Sequence, residues 1–386
     1  MTAKDHEGRS VSAPLLSFGM GRIHDLRCMA QRTLGVFSVL LIAFAAITAC
    51  RKDPAMTSAT ASIPYEPDLP AWLLDSTTYR WHTPQDNPST VAGVELGRKL
   101  FHEVALSDDF SMSCATCHVQ ADGFSDIRQF SIGTNGAVGR RQAMSVFNLA
   151  WDALFFWDGR STSLEDQAFR PVVDPSEMRN SWPTVVARLQ AHQEYPGLFE
   201  RAFGTSIIDS VNVVRAIAQF ERSLISLQSR FDRFRYLGDS TALDEQEQRG
   251  MNLFMRGAHC ADCHHEPLMA DHGLRNNGLD LIFADQGAAE VTNNPAHAGR
   301  FKVPTLRNIE LTPPYMHDAR FATLEAVVDF YANDVQLESP GLDNHMLPWV
   351  AGQVQLDEQD RLDLVAFLRT LTDEAFVTNP AFSDPN

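Results

Sequence analysis

Two short stretches of this 386-residue chain hold side chains whose types and spacing could do chemistry. Each is a cysteine pair three residues apart with a histidine directly behind it: Cys114-Ala-Thr-Cys117-His118 and Cys260-Ala-Asp-Cys263-His264. Six cysteines and thirteen histidines would produce about 0.003 such pentapeptides by chance, so two copies demand a cause. Zinc would draw four thiols, or two thiols and two histidines, into a tetrahedron. A redox pair would use C-x-x-C alone. Covalent haem uses every residue: thiols at i and i+3 face one side of a helical turn and add to two vinyl groups of one porphyrin. The next histidine then lies under the iron. Only haem explains a histidine after both pairs, so two covalently bound c-type haems are expected, on His118 and His264. His259 and His265, which flank the second motif in "HCADCHH", are expected to be bystanders or polar neighbours of the haem edge.

Haem of this kind is attached outside the cytoplasm, and the N-terminal pattern agrees. Arg27 and Arg32 precede the uncharged run "LGVFSVLLIAFAAITAC" (34–50), the order of a secretory signal. "ITAC" (47–50) has the form of a lipobox, in which Cys50 is lipidated and becomes the first residue; an uncleaved anchor is the alternative. The stretch before the run is long for a signal, and Met20 or Met29 would be a more usual start. The expectation is an exported, periplasmic protein held to a membrane by its N-terminal lipid. With Cys28 ahead of the run and Cys50 taken, no cysteine is left for a structural disulfide. Loss of residues 1–49 would leave 27 Lys/Arg against 46 Asp/Glu, a net charge near −19. So acidic a surface argues against nucleic acid and against adhesion to anionic lipid by charge alone.

The elements that must position the two motifs repeat as well. "GRKLF" (97–101) and "GMNLF" (250–254) precede them, inside the helical patterns "TVAGVELGRKLF" and "LDEQEQRGMNLF". A long amphipathic pattern closes each half, at 210–227 and at 356–373; in the second, Leu362, Val365, Ala366, Leu368 and Leu371 form the apolar face. Strand signals are sparse. The fold class predicted is mainly α, with two tandem cytochrome-c-like haem domains. A signal at 1–49 and a linker or tail at 50–84 would lead to domains at 85–237 and 238–386.

Over roughly residues 85–375 the chain resembles the bacterial di-haem cytochrome c peroxidases and their MauG-like relatives. The resemblance rests on "FFWDGRSTSLEDQAFRPVVDPSEM" (155–178), "AQFERSLIS" (218–226) and "FKVPTLRNIELTPPYMHDARFATLEAVVDFY" (301–331), in family order beside the haem motifs. It implies that hydrogen peroxide reacts at the N-terminal haem, on His118, and that the C-terminal haem, on His264, stores or relays electrons. Trp157 matches the tryptophan between the haems, and Glu177 and Gln167 match the acid and the amide of the peroxide pocket. A carboxyl there can move a proton between the peroxide oxygens.

Three departures carry information. Family members that need reductive activation have a histidine in the loop after the first haem; here "FSIGTNGAVGRRQ" (130–142) has Thr134 at that position, with no histidine from 119 to 191. The first haem is therefore expected to be open without prior reduction. The far ligand of the second haem, a methionine in electron-relaying members and a tyrosine in MauG-like ones, aligns with Tyr331; Met316 and Met346 are the alternatives. An inter-domain calcium would take its carbonyls from Thr312 and Pro314, but its asparagine position reads Gln142, whose amide oxygen can still meet a hard cation. Ala319 also stands where a glycine is usual.

The expected function is a cytochrome-c-peroxidase-type oxidoreductase that reduces hydrogen peroxide with electrons from a donor such as a small cytochrome c. The alternatives are a MauG-like peroxide-dependent oxidase of a partner protein and a non-catalytic di-haem electron-transfer cytochrome. A homodimer is compatible with either enzyme.

Overall fold

A computed structural model describes residues 62–74, 81 and 83–385. The signal expected over 1–49, lipid-site Cys50 and part of the 50–84 segment lie outside these residues. Ala59–Asn386 form one compact unit. The described part of the 50–84 segment packs on the body, with Trp72 stacked on Tyr236 (centroids 4.0 Å apart). Among the described residues no helix is long and apolar enough to cross a membrane.

The helical patterns begin where the sequence offers caps. Helix α1 (Val91–Phe101) starts at Thr90, whose hydroxyl accepts from Gly93 N–H, and α2 (Leu164–Val173) starts at Ser163, which accepts from Asp166 N–H. Helices α3 (Trp182–Ala191), α4 (Tyr195–Phe203) and α5 (Ser210–Ser223) complete the first half. The amphipathic pattern at 210–227 outruns its helix, which ends at Ser223. Leu224 turns extended, its carbonyl accepts from Asn148 N–H (2.8 Å), and Leu224 and Leu227 stay buried as loop residues. The second half comprises α6 (Arg230–Tyr236), α7 (Glu245–Asn252), α8 (Leu324–Asp329) and α9 (Glu358–Arg369). Helices α7 and α8 run on into π-helical turns at Leu253–Gly257 and Phe330–Asp334. The one sheet among the described residues is a two-residue antiparallel pair, β1 (Leu274–Arg275) with β2 (Phe301–Lys302).

The repeated glycines mark equivalent helix crossings. A Cβ on Gly97 would lie 1.9 Å from the carbonyl oxygen of Ala216 in α5, and one on Gly250 1.9 Å from that of Asp363 in α9. Only glycine lets the two backbones of each pair approach so closely. The apolar face read for α9 is buried at Val365, Leu368 and Leu371, and the second crossing adds residues to it. Asp363 and Phe367 are turned onto α7, Leu364 and Leu368 onto a cavity, and Leu362 is 49% exposed.

A further repeat emerges in the turns that precede α2 and α8. Phe155 N–H bonds to Ser161 O (2.9 Å), and Tyr315 N–H to Phe321 O (2.8 Å). Inside each turn an arginine pairs with an aspartate two residues before it, Arg160 with Asp158 and Arg320 with Asp318. Phe156 and Met316 share positive φ, as do Gly159 (φ 72°) and Ala319 (φ 59°). The left-handed backbone is the physical reason a glycine is usual at position 319.

Candidate active site

Each cysteine–histidine motif opens into its own cavity. Cys114–Cys117 form one α-helical turn and Cys260–Asp262 one 3₁₀ turn, so each thiol pair faces a single side. None of the four sulfurs is in a disulfide, and burial raises the pKa of each thiol, that of Cys260 and Cys263 to about 12. The two thiol pairs line different cavities, so they do not converge as a four-cysteine zinc site. The histidines match too. His118 Nδ1 meets Phe124 O (3.1 Å) and His264 Nδ1 meets Met269 O (3.2 Å), and both carbonyls belong to residues in left-handed backbone (φ 54°). A carbonyl partner fixes the proton on Nδ1 and leaves the Nε2 lone pair for a metal. Burial lowers the pKa of both rings, that of His264 to about 4, which keeps them neutral. The donor set therefore fits two thioether-attached haems.

The first cavity has a volume of about 930 Å³, and His118 is the one histidine in its described lining. Glu177 and Gln167 both line it. Ser163 caps α2 and sets Gln167 on the second turn; Glu177 lies in the turn that follows α2, its N–H on Asp174 O (3.1 Å). Burial first, then the nearby Asp174 carboxylate, raises the Glu177 carboxyl from 4.5 to about 7, against a smaller pull from Arg160. Gln167 Oε1 is buried without a hydrogen-bond partner. Thr134 does not line the cavity. Its N–H and hydroxyl both donate to Glu177 O (2.9 and 3.2 Å), so it ties the loop to the backbone of the acid.

The second cavity is smaller, about 220 Å³, and its lining includes Tyr331, Met316, Met346 and Trp349. Tyr331 stands on the π-helical turn after α8, and its hydroxyl accepts a hydrogen bond from Asn277 Nδ2 (2.9 Å). His259 lines this cavity with its Nδ1 on Asp262 (3.0 Å), a polar neighbour as expected, whereas His265 does not line it.

Trp157 lines both cavities. Its indole N–H donates to Gln142 O (2.8 Å), and its own carbonyl accepts from Lys302 N–H (2.7 Å), so the loop after the first motif and strand β2 hold it together. Gln142, Thr312 and Pro314 meet in the second cavity's lining. The Gln142 amide nitrogen donates to Ser125 Oγ (3.0 Å) and more weakly to Asp126 O (3.3 Å), which leaves its oxygen for a cation.

Three contributors escaped the sequence reading. Glu221, in the "FER" run of α5, lines the first cavity, is 3% exposed, and has a carboxyl that burial pushes up to about 8. His317, the counterpart of Trp157 in the repeated turn, stacks on Phe301 (3.6 Å) in the second cavity. The parallel between "FWDGR" and "MHDAR" was the signal that could have found it. Asn277 had no local signal.

Known proteins resemble this chain. The model of the di-haem cytochrome c peroxidase family matches residues 91–241. The methylamine utilization protein MauG of Methylorubrum extorquens is 40% identical over 301 residues, 77% of this chain and 83% of that protein. The cytochrome c551 peroxidase of Nitrosomonas europaea is 34% identical over 293 residues, 74% and 81% of the two chains. The crystal structure of a MauG-like protein associated with microbial copper homeostasis superposes with a TM-score of 0.73 at 33% identity, covering 83% of this chain and 99% of that one. The chain belongs to the MauG-like di-haem cytochrome c peroxidase family and is a peroxidase-type oxidoreductase.

Proposed function

We propose that this protein reduces hydrogen peroxide in the His118 cavity with electrons that arrive from the His264 site past Trp157. The observation that carries the reading is the contrast between the cavities. The first is about 930 Å³ with one lining histidine and an acid poised near neutrality, and the second is about 220 Å³ with three candidate ligand side chains in its lining. Cys114 and Cys117 would hold one haem and Cys260 and Cys263 the other, in tandem domains, with His118 and His264 as ligands. When bound, the haems supply the iron that coordinates peroxide and the redox capacity for its two-electron reduction. Glu177 would take the proton from one peroxide oxygen and return it to the other, so that one oxygen departs as water; two electrons from the donor and two protons from solvent then release the remaining oxygen as a second water. Gln167 Oε1 has a free acceptor with which to orient a peroxide O–H. Thr134, turned onto Glu177 O, places no ligand over His118, so the site accepts peroxide in the resting protein.

A second reading, a peroxide-dependent oxidase of a partner protein, is favoured by Tyr331. An anionic oxygen ligand lowers the potential and stabilises a higher oxidation state, which suits storage of an oxidising equivalent. Calcium on Gln142 Oε1 and the carbonyls of Thr312 and Pro314 would clasp the region beside Trp157, weakly, because the donor set has no carboxylate. Export and anchoring through Cys50 would place the enzyme in the periplasm.

Stopped-flow mixing of peroxide with the as-isolated ferric protein, with and without reduced cytochrome c, tests the reading. Fast reaction with turnover of the cytochrome supports the peroxidase, and fast reaction with a long-lived oxidised product and no turnover supports the second reading. A protein inert until partly reduced refutes the open first site.

A further inference from the structure

The lining of the second cavity offers an oxygen and two sulfurs where the iron needs one ligand. Asn277 touches two of the three: its amide nitrogen lies 2.9 Å from Tyr331 Oη and 3.9 Å from Met316 Sδ. We propose that Asn277 is the residue that selects Tyr331 over Met316 as the sixth ligand of the second haem. The inference rests on the reading of Tyr331 as that ligand and goes beyond it by naming what makes the choice.

The physical reason lies in the direction of the hydrogen bond. A phenol that accepts from an amide keeps its own hydrogen free to be replaced by a metal. Once the oxygen is metal-bound and anionic, the amide bond to it becomes charge-assisted and roughly twice as strong. The same donor near a thioether is weak, and it engages the sulfur lone pair that a metal would need. One amide thus favours the oxygen and discourages the sulfur.

The fold holds Asn277 at this task. Its neighbour Asn276 is 1% exposed and donates to Ser339 Oγ and Pro340 O (both 3.0 Å), while Asn276 Oδ1 accepts from Gly278 N–H (2.9 Å). Gln336 N–H donates to Gly278 O (2.8 Å). Gln336 and Ser339 directly follow the π-helical turn that carries Tyr331, so donor and acceptor share one scaffold.

The test uses the full two-haem protein and the variants N277A, N277D and Y331F, with N277A/M316L as the double variant. Haem content of two per chain checks that each has folded. The ferric absorption spectrum and the potential of the second haem are then read. The charge-assisted bond gives the oxygen a preference of about tenfold or more. In N277A a thioether-ligated population should appear and disappear again in N277A/M316L. As the thioether replaces the anionic oxygen in that population, the potential of the second haem should rise. In N277D, where a carboxylate accepts from the phenol and keeps it protonated, the shift should be larger. If N277A and N277D match the wild-type spectrum and potential while Y331F alters both, the selection by Asn277 is overturned and the ligand reading stands. If Y331F is itself silent, both fall.

Discussion

Replacing Glu177 by glutamine keeps the shape of the side chain and removes its ability to take a proton. Burial and Asp174 move this carboxyl from 4.5 to about 7, which corresponds to about 3 kcal/mol in favour of the neutral acid. In the proposed mechanism the carboxylate form must accept the first proton from peroxide. Half the molecules then hold that form at pH 7 and about 1% at pH 5, so the rate of reaction with peroxide should fall about fiftyfold from pH 7 to pH 5. Glu177→Gln should lose about 10²–10⁴ of the rate at pH 8 and lose the acid limb with it. Stability should move the other way. The folded protein keeps a proton that the unfolded chain releases between pH 4.5 and 7, so wild-type stability declines as pH rises through that window. The variant should therefore be more stable than wild type at pH 8, by at most about 3 kcal/mol because the cavity is partly open to solvent, and equal to it at pH 4. Stopped-flow rates and denaturant titrations from pH 4 to 9 measure both effects. A variant within tenfold of wild type at pH 8, or one that retains a limb near pH 7, refutes the role assigned to Glu177.

Asp174→Asn removes the second cause of the Glu177 shift, so the acid limb should move to lower pH in the same stopped-flow series. Trp157→Phe orphans Gln142 O, at a cost of about 1–3 kcal/mol in denaturant unfolding, and should slow electron delivery to the first site while both haem spectra stay unchanged. Arg307 and Asp232 form a fully buried ion pair (2.7 Å), so Arg307→Met alone should cost about 3–5 kcal/mol and Asp232→Leu in the same chain should restore most of it; chemical denaturation reads both. Gly159→Ala puts a side chain at φ 72° against Leu274 (3.3 Å), and thermal unfolding should show a loss of about 1–2 kcal/mol.

What could be read along the chain was local. Two thiols and a histidine within five residues announce a haem by their covalent spacing, whatever the remainder of the protein does. The repeated G-x-x-L-F was visible too, although its meaning as a crossing of two backbones was not, because Ala216 and Asp363 lie more than a hundred residues away. Glu177, Gln167 and Trp157 were found through resemblance; their properties needed the fold. The acidity of Glu177 comes from burial and a neighbour's charge, and the indole of Trp157 is fixed by Gln142, fifteen residues earlier in the chain. The same limit explains the exposed Leu362 of α9 and the missed Asn277. Which side of a helix is buried, and which amide reaches which phenol, depend on where distant segments come to rest, and a one-dimensional pattern carries no record of that.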